Sequence, residues 1–325
     1  MRRLHSLASA FAALPVLAAA IAQPAHTQSA DAAKYPEQMV RIVVPFSAGS
    51  MTDLLARVVS EKLSARWNQQ VIVENRPGLA GTASVAKVTP DGYTLMLTSN
   101  GHTVISSLNR NLAFDPIKDF VGVSQVAVTP LILMVPPESA TKSVKDLIDA
   151  AKAKPGGLNY SSAGLGSTTG IACELFKSVT QTDIVHLPFR GLPESQTAVI
   201  RGDVAMGFTF FSAGGDLVQS GKVRGLAVTG ARRLAGLPNI PTFREAGLPE
   251  YQYDAWFGIM APAGTPRAIV EKASKAIGEV VQSAEVKARF EPQGVDLVSN
   301  DPDKFDAIIR ADTERYGKLI KPAAN

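Results

Sequence analysis

The sequence predicts a two-lobed α/β protein, each lobe a mostly parallel sheet flanked by helices. Three observations predict it. From Met39 onward, short β-branched runs alternate with stretches of helical apolar periodicity, which is how the βα units of a parallel sheet read. A chain of 325 residues is too long for one simple core and fits two domains of ordinary size. Each half also contains a strand that ends in a small-residue turn opening a helix.

Taken in order, VRIVVPF (residues 40–46) is a buried strand by its apolar run. Residues 52–67 carry Leu54, Leu55, Val58, Val59 and Leu63 at helical period. A second strand covers 69–78 and closes on a Pro-Gly turn, a short helix covers 82–88, and YTLMLTS (93–99) is the third strand. The runs VGVSQVAV and LILMVP bracket Thr129-Pro130, where the chain is expected to cross between lobes, with Pro136-Pro137 stopping the strand. Beyond it the alternation repeats: helix 143–153, strand 158–163, helix 168–179, strand 183–189, then strands at 204–211 and 223–229. A Pro- and Gly-rich loop covers 236–249, and WFGIMAPAG (256–264) is one more strand. Because LILMVPPES and FGIMAPAGT share a strand, proline turn and helix order, they are read as the two hinge passages. The first lobe then comprises 35–130 and 251–325, including helices at 267–282 and 302–320, and the second 131–250.

The chain opens with Arg2 and Arg3, runs through Ala-rich apolar sequence to Ala22 and turns polar at Gln23. That is the layout of a secretory signal peptide over 1–22, cleaved after Ala22 or, alternatively, after Ala30. A membrane anchor is the competing reading, but the run holds Pro15 and falls short of the roughly 20 residues a spanning helix needs. The expectation is a soluble exported protein without a stable membrane anchor. Of the 33 basic residues two lie in the leader, so against 29 acidic residues the exported chain is close to neutral. Its Lys and Arg are scattered singly, without the basic face that nucleic acid requires. The single cysteine, Cys173, has no disulfide partner and reads as a small core residue.

The most informative segment is PFSAGSMTD (45–53), between a buried strand and a helix. Ser47, Ala48, Gly49 and Ser50 keep the turn small, so the first N–H groups of the helix are able to face a bound anion. An ordinary turn capped by Ser50 or Thr52 is the alternative. The second half repeats the feature in SSAGLGSTTG (161–170), where Gly164 and Gly166 permit close backbone approach and Ser167, Thr168 and Thr169 carry hydroxyls. One such helix start per lobe, each at a strand end, is where open α/β sheets bind ligands. A dinucleotide site is a poor match, because the spacing is G-x-G-x-x-x-G and the next strand ends in Pro, Phe and Arg rather than an acid. Arg190 follows that strand and either meets a second ligand carboxylate or forms a surface salt bridge. Phe46, Phe208, Phe210 and Trp256 are candidates to wall a cleft, against a default of core packing. Asn100 and His102 lie in the loop after the third strand, facing either the cleft or solvent. His186, inside a strand, reads as a packed histidine. There is no G-x-S-x-G elbow and no metal-ligand spacing, so no enzyme, cofactor or metal is expected.

The ordered segments YPEQMVRIVVPFSAG, VIVENRPGLAG, DGYTLMLTSNG, NYSSAGLGSTTG, VHLPFRG, SGKVRGLAVTGARR, IPTFREAGLP and FGIMAPAGTP together resemble the Bug family, the periplasmic solute-binding component of tripartite tricarboxylate transporters. The resemblance covers nearly all of the exported chain. It implies a Venus-flytrap fold of the type II binding-protein class, monomeric, with transient transporter partners. It also implies a small carboxylate ligand held by the two helix-start loops, which here are Phe46, Ser47, Ala48, Gly49, Ser50 and on to Asp53, and Ser161, Ala163, Gly164, Gly166, Ser167 and Thr168. Asn100, Arg190 and Phe208 complete the expected ligand set. Two positions depart from the family pattern: Ser50 stands where a second glycine is usual, and Gly170 where a histidine is common. A sensor signalling to a membrane partner, or an enzyme on the same scaffold, are the alternative functions.

Overall fold

The structure, a computed structural model, describes residues 32–109, 111–164 and 166–320; the expected leader lies outside the described residues. The chain begins β1 Val40–Val44, α1 Met51–Trp67, β2 Val71–Asn75, α2 Leu79–Ala86 and β3 Thr94–Ser99. A 3-10 turn, Asn100–Val104, leads through the short α3 Ile105–Leu108 into β4 Phe120–Val135. There follow α4 Val144–Ala153, β5 Leu158–Ser162, α5 Thr168–Thr180, β6 Ile184–Pro188, α6 Leu192–Arg201, β7 Met206–Phe210, α7 Phe211–Gln219 and β8 Arg224–Val228. The chain ends with β9 Asp254–Pro262, α8 Arg267–Val281, α9 Ala284–Phe290, β10 Asp296–Leu297 and α10 Pro302–Gly317.

Two groups of parallel strands share one long strand. β1 pairs in parallel with β2 and β3, and β9 joins β3 to β4 antiparallel. On the other side β5 pairs in parallel with β6 and β7, while β7 and β8 are antiparallel to β4. The 16-residue β4 therefore serves both groups: Phe120–Pro130 lies against β9, and Leu131–Val135 lies against β7 and β8. Pro130, which has no N–H to give to a ladder, sits where the pairing changes hands.

This differs in detail from the sequence reading. The two runs around Thr129-Pro130 form one continuous strand, not two. LILMV lies wholly in the second group and FGIMAP wholly in the first. The pairing changes hands at Pro130-Leu131, beside Thr129-Pro130, and again in the few residues before Asp254, rather than within either run. Helix α7 follows β7 directly, where a strand was expected to run to Phe211. Its Gly214 and Gly215 weaken helix propensity, but side chains there would collide with Thr209 and Phe211 at 2.4 and 2.6 Å.

Apolar faces of α1 and α8 close over the first group, burying Val40, Ile42, Leu55, Val59, Ile259 and Ile277. α5 covers the second group, where Phe176, Phe208, Phe243 and Tyr251 stack together. α10, capped by Asp301 and started by Pro302, places Phe305 and Ile309 against Trp256 and Met260 of the first group. Its far end carries Tyr316 into the core of the second group, together with Ile320. The C-terminal segment thus touches both halves.

Candidate functional site

The turn from β1 into α1 is built around a buried carboxylate. Gly49 turns the backbone into the left-handed region at φ +80, which glycine adopts without steric cost. Ser50 Oγ caps the helix by accepting the Asp53 N–H at 3.2 Å. Asp53, 2% exposed, answers by accepting the Gly49 N–H at 2.9 Å, a reciprocal capping arrangement. Its remaining capacity is filled by Asn75 Nδ2 at 2.9 Å and Arg57 Nε at 3.0 Å. Burial alone would raise the Asp53 carboxyl, but the bonds from Arg57, Gly49 and Asn75 outweigh it and hold the group below its usual 3.8. A depressed carboxyl stabilises the fold above that usual value, and the contribution is lost as pH falls through the folded pKa. Asp53→Asn, which cannot accept all three bonds, is therefore expected to cost about 1–3 kcal/mol at pH 7. Urea denaturation measures it, and the gap between wild type and variant narrows on acidification below 3.8.

The turn from β5 into α5 follows the same plan with hydroxyls. Gly164 adopts φ +103. Ser167 Oγ accepts the Gly170 N–H at 3.0 Å and donates to the Gly164 carbonyl at 2.6 Å. Thr169 Oγ1 accepts the Ala163 N–H at 3.2 Å, and Ser162 Oγ accepts the Gly164 N–H at 3.1 Å. In both helices the cap consumes one early amide, leaving those before it, Met51 and Thr52 in α1 and Thr168 and Thr169 in α5, without an intrahelical acceptor.

The strand registers bring these turns together. β1 and β3 run parallel, with Val43 opposite Met96, so the loop after Val44 lies beside the end of β3 at Ser99 and Asn100. From there the chain meets the second group directly. Thr168 Oγ1 donates to Asn100 Oδ1 at 3.1 Å, and a methyl group on Gly101 would lie 2.4 Å from the Gly166 carbonyl oxygen. Two capped helix starts, each with its dipole and free amides favouring negative charge, thus open at adjoining strand ends of the two halves.

A profile of the tripartite tricarboxylate transporter family receptor matches residues 55–324. The chain belongs to this receptor family. BugT of Bordetella pertussis is 33% identical over 292 residues, covering 88% of this chain and 90% of BugT. Rpa4515 of R. palustris, solved with adipate, superposes with TM-score 0.77 at 32% identity over 88% of this chain and 97% of its own. MatC of Rhodopseudomonas palustris, solved with bound malate, gives 0.76 at 28% identity over 88% and 99%.

Within the receptor, the predicted site residues separate by what their side chains do. Ser47, Ala48 and Gly49 are exposed at the first turn and Phe46 is half-buried beside them. Ser50 uses its oxygen as the cap and keeps its O–H as a donor. Asp53 is not available to a ligand, because both oxygens are engaged inside the loop. Ala163, Gly164 and Gly166 line the second turn, half-buried. Ser161 is fully buried and turned away, its Oγ bonded to Ser195 at 2.8 Å. The hydroxyls of Ser167 and Thr168, expected to face a ligand, are spent within the loop and on Asn100. Arg190 is exposed at the end of β6, the neighbour of β5, its backbone N–H bonded to Glu194. Phe208 is a correction: it is 0% exposed, stacked on Phe243 and Tyr251 in the core, because it sits on an interior strand facing α5. Trp256 is likewise core, its Nε1 donating to Asp312. Phe210 is half-buried and bridges the halves, 6.3 Å from Phe257. Tyr253, which the sequence reading passed over, joins Asn100 and Thr168; only its place just before a strand hinted at a role.

The cysteine and the two histidines singled out in the sequence are engaged inside the fold. Cys173 is buried in the second core. His186 stacks on Tyr160 at 4.6 Å and bonds Ser162 Oγ at 2.7 Å. His102 does not face the cleft; its Nε2 meets the Pro116 carbonyl at 2.6 Å and its ring packs edge-on to Phe120. Among the described residues no His, Cys, Asp and Glu group could hold a metal, and no helix is long and apolar enough to cross a membrane. A concavity of about 650 Å³ along Arg267, Glu271, Lys275 and Asn300 lies on α8 and touches neither turn.

Burial depresses the His102 imidazole from 6.5 to about 4, against the Pro116 bond, which raises it. The unfolded chain then binds a proton between those values that the folded one refuses, so stability falls as pH drops from 6.5 towards about 4 and levels off below. The loss amounts to ~3 kcal/mol. His102→Gln, which keeps a donor to Pro116 without titrating, is expected to flatten that slope in urea denaturation across the range.

Proposed function

We propose that the protein works in the periplasm as a solute-binding receptor, capturing a small carboxylate between its two lobes and passing it to a tripartite tricarboxylate-type membrane transporter. The observation that carries this reading is the pair of capped helix starts, one from each half, at adjoining strand ends linked through Asn100 and Gly101. A carboxylate held there accepts N–H bonds from Met51 and Thr52 on one side and Thr168 on the other, with the Ser50 hydroxyl added. Charge-assisted bonds of this kind are about twice as strong as neutral ones, and two helix dipoles offset the desolvated charge without a paired cation. The carboxylates bound by Rpa4515 and MatC support the ligand class. The division into lobes, 35–130 with 251–325 against 131–250, follows the sharing of β4, with α10 reaching across.

Calorimetric titration of the protein with adipate, malate and the corresponding uncharged diamides tests the reading. Heat of binding is expected from at least one carboxylate and from neither diamide. Equal binding of the diamide, or no binding by any member of a wider carboxylate panel, would contradict it. Delivery is tested separately, by uptake of the labelled carboxylate in cells with and without the gene.

A further inference from the structure

Three side chains from distant parts of the chain close a ring of hydrogen bonds between the two halves. Asn100 Nδ2 donates to Tyr253 OH at 2.7 Å, Tyr253 OH donates to the Thr168 carbonyl at 2.9 Å, and Thr168 Oγ1 donates to Asn100 Oδ1 at 3.1 Å. Each of the three residues donates one bond of the ring and accepts one. Turning the Asn100 amide over would break the ring, since the tyrosine proton would be drawn to Oδ1 and the Thr168 carbonyl would lose it. All three residues are buried, at 0, 2 and 7% exposure for Asn100, Tyr253 and Thr168. Thr103 Oγ1 fixes the Asn100 carbonyl from below at 2.7 Å. Burial pushes the Tyr253 hydroxyl well above its usual range, which keeps its proton in place as a donor.

The location gives the ring its meaning. Asn100 opens the 3-10 turn directly after β3 of the first group. Tyr253 is the last residue before β9, on the return crossing between the halves. Thr168 is the first residue of α5, gripped at both its hydroxyl and its carbonyl. Rotation of one half against the other about the β4 and β9 crossings shears these contacts, and separates Gly101 from the Gly166 carbonyl beside them. We propose that Asn100, Tyr253 and Thr168 form a latch that holds the α5 helix start at a set angle to the first lobe before ligand arrives. Asn100, expected from the sequence to contact the ligand, has both ends of its amide engaged in the ring instead, and it and Tyr253 are then positioning residues. By keeping the binding-competent arrangement populated, the latch removes the affinity penalty that a freely rocking pair of lobes would carry.

This inference rests on the proposed carboxylate site, but its test does not depend on that site alone. Spin labels at introduced cysteines, Glu61→Cys on exposed α1 and Arg201→Cys on exposed α6, report the distance between the halves by pulsed electron resonance; native Cys173 is 0% exposed and stays unlabelled. Without ligand, the latched protein is expected to give one narrow distance distribution, and Asn100→Ala or the milder Tyr253→Phe a broadened one. Carboxylate affinity should fall about tenfold in the same variants, as when the competent fraction drops to about a tenth. Thr168→Ser, which keeps the hydroxyl, should retain the narrow distribution, whereas Thr168→Val should not. Unchanged distributions in Asn100→Ala and Tyr253→Phe would overturn the latch, even if both variants were less stable, because the ring would then be only a buried packing contact. Failure of the latched protein to bind any carboxylate sinks the site reading instead, and the distances still decide the latch.

Discussion

Gly101→Val is expected to weaken carboxylate binding by about 100-fold, or about 2.7 kcal/mol, while leaving each half folded. The β-carbon alone would lie 2.4 Å from the Gly166 carbonyl oxygen, and the obstacle is backbone rather than the end of a flexible side chain. Overpacking of this kind costs roughly 1–3 kcal/mol. The cheapest relief is for the halves to move apart, because Gly101 and Gly166 belong to different halves. That relief takes the α5 helix start away from α1, so the cost is read out as lost affinity. Calorimetric titration together with urea denaturation separates the two effects. Affinity within twofold of the unsubstituted protein would show that the contact does not govern the site.

Phe305→Ala is expected to be the most destabilising simple truncation, at about 3–5 kcal/mol. The ring is 0% exposed and meets Trp256 edge-on with centroids 5.2 Å apart. It is slotted against two strands through their glycines: a β-carbon on Gly258 would lie 2.1 Å from it, and one on Gly122 3.0 Å. Glycines have no side chain with which to fill the space left behind, so the cavity persists and the full penalty applies. The urea midpoint should fall accordingly, with ligand affinity of the remaining folded protein little changed. A loss below about 1 kcal/mol would mean that α10 repacks.

Much of the architecture was legible because periodicity and burial coincide. β1 and β2 read as strands from β-branched runs flanked by turns, β3 and β5 from their place in the βα alternation, and α1, α4 and α5 from helical spacing behind good caps. What was hidden had a physical cause. β4 spans two groups of strands without interruption because Pro130, which looks like a break in sequence, sits where no ladder bond is required. α7 carries two glycines that propensity disfavours and tight neighbours demand. At the site, the two turns stood out by their small residues and glycines, but the duties of their side chains did not. Sequence shows that Ser167 and Thr168 have hydroxyls and not that caps and the Asn100 ring consume them. It shows an acid at Asp53 and not that Gly49, Arg57 and Asn75 occupy it. The ring itself joins residues 68 to 153 positions apart, a separation no local pattern encodes. Phe208 and Phe210, two residues apart on one strand, share a face and pack on the same core, and only the second, at the end of the strand, reaches Phe257 at the junction.

In the proposed mode of binding, one carboxylate engages helix-start amides from both halves at once. An amide-resolved nuclear magnetic resonance titration of the nitrogen-15 labelled protein, with whichever carboxylate binds in calorimetry, tests it most directly. The largest shifts are expected to fall together on the amides of Ala48 to Thr52 and Gly166 to Thr169, saturating with a single dissociation constant. Shifts confined to one of these turns, or centred on the concavity along α8, would contradict it.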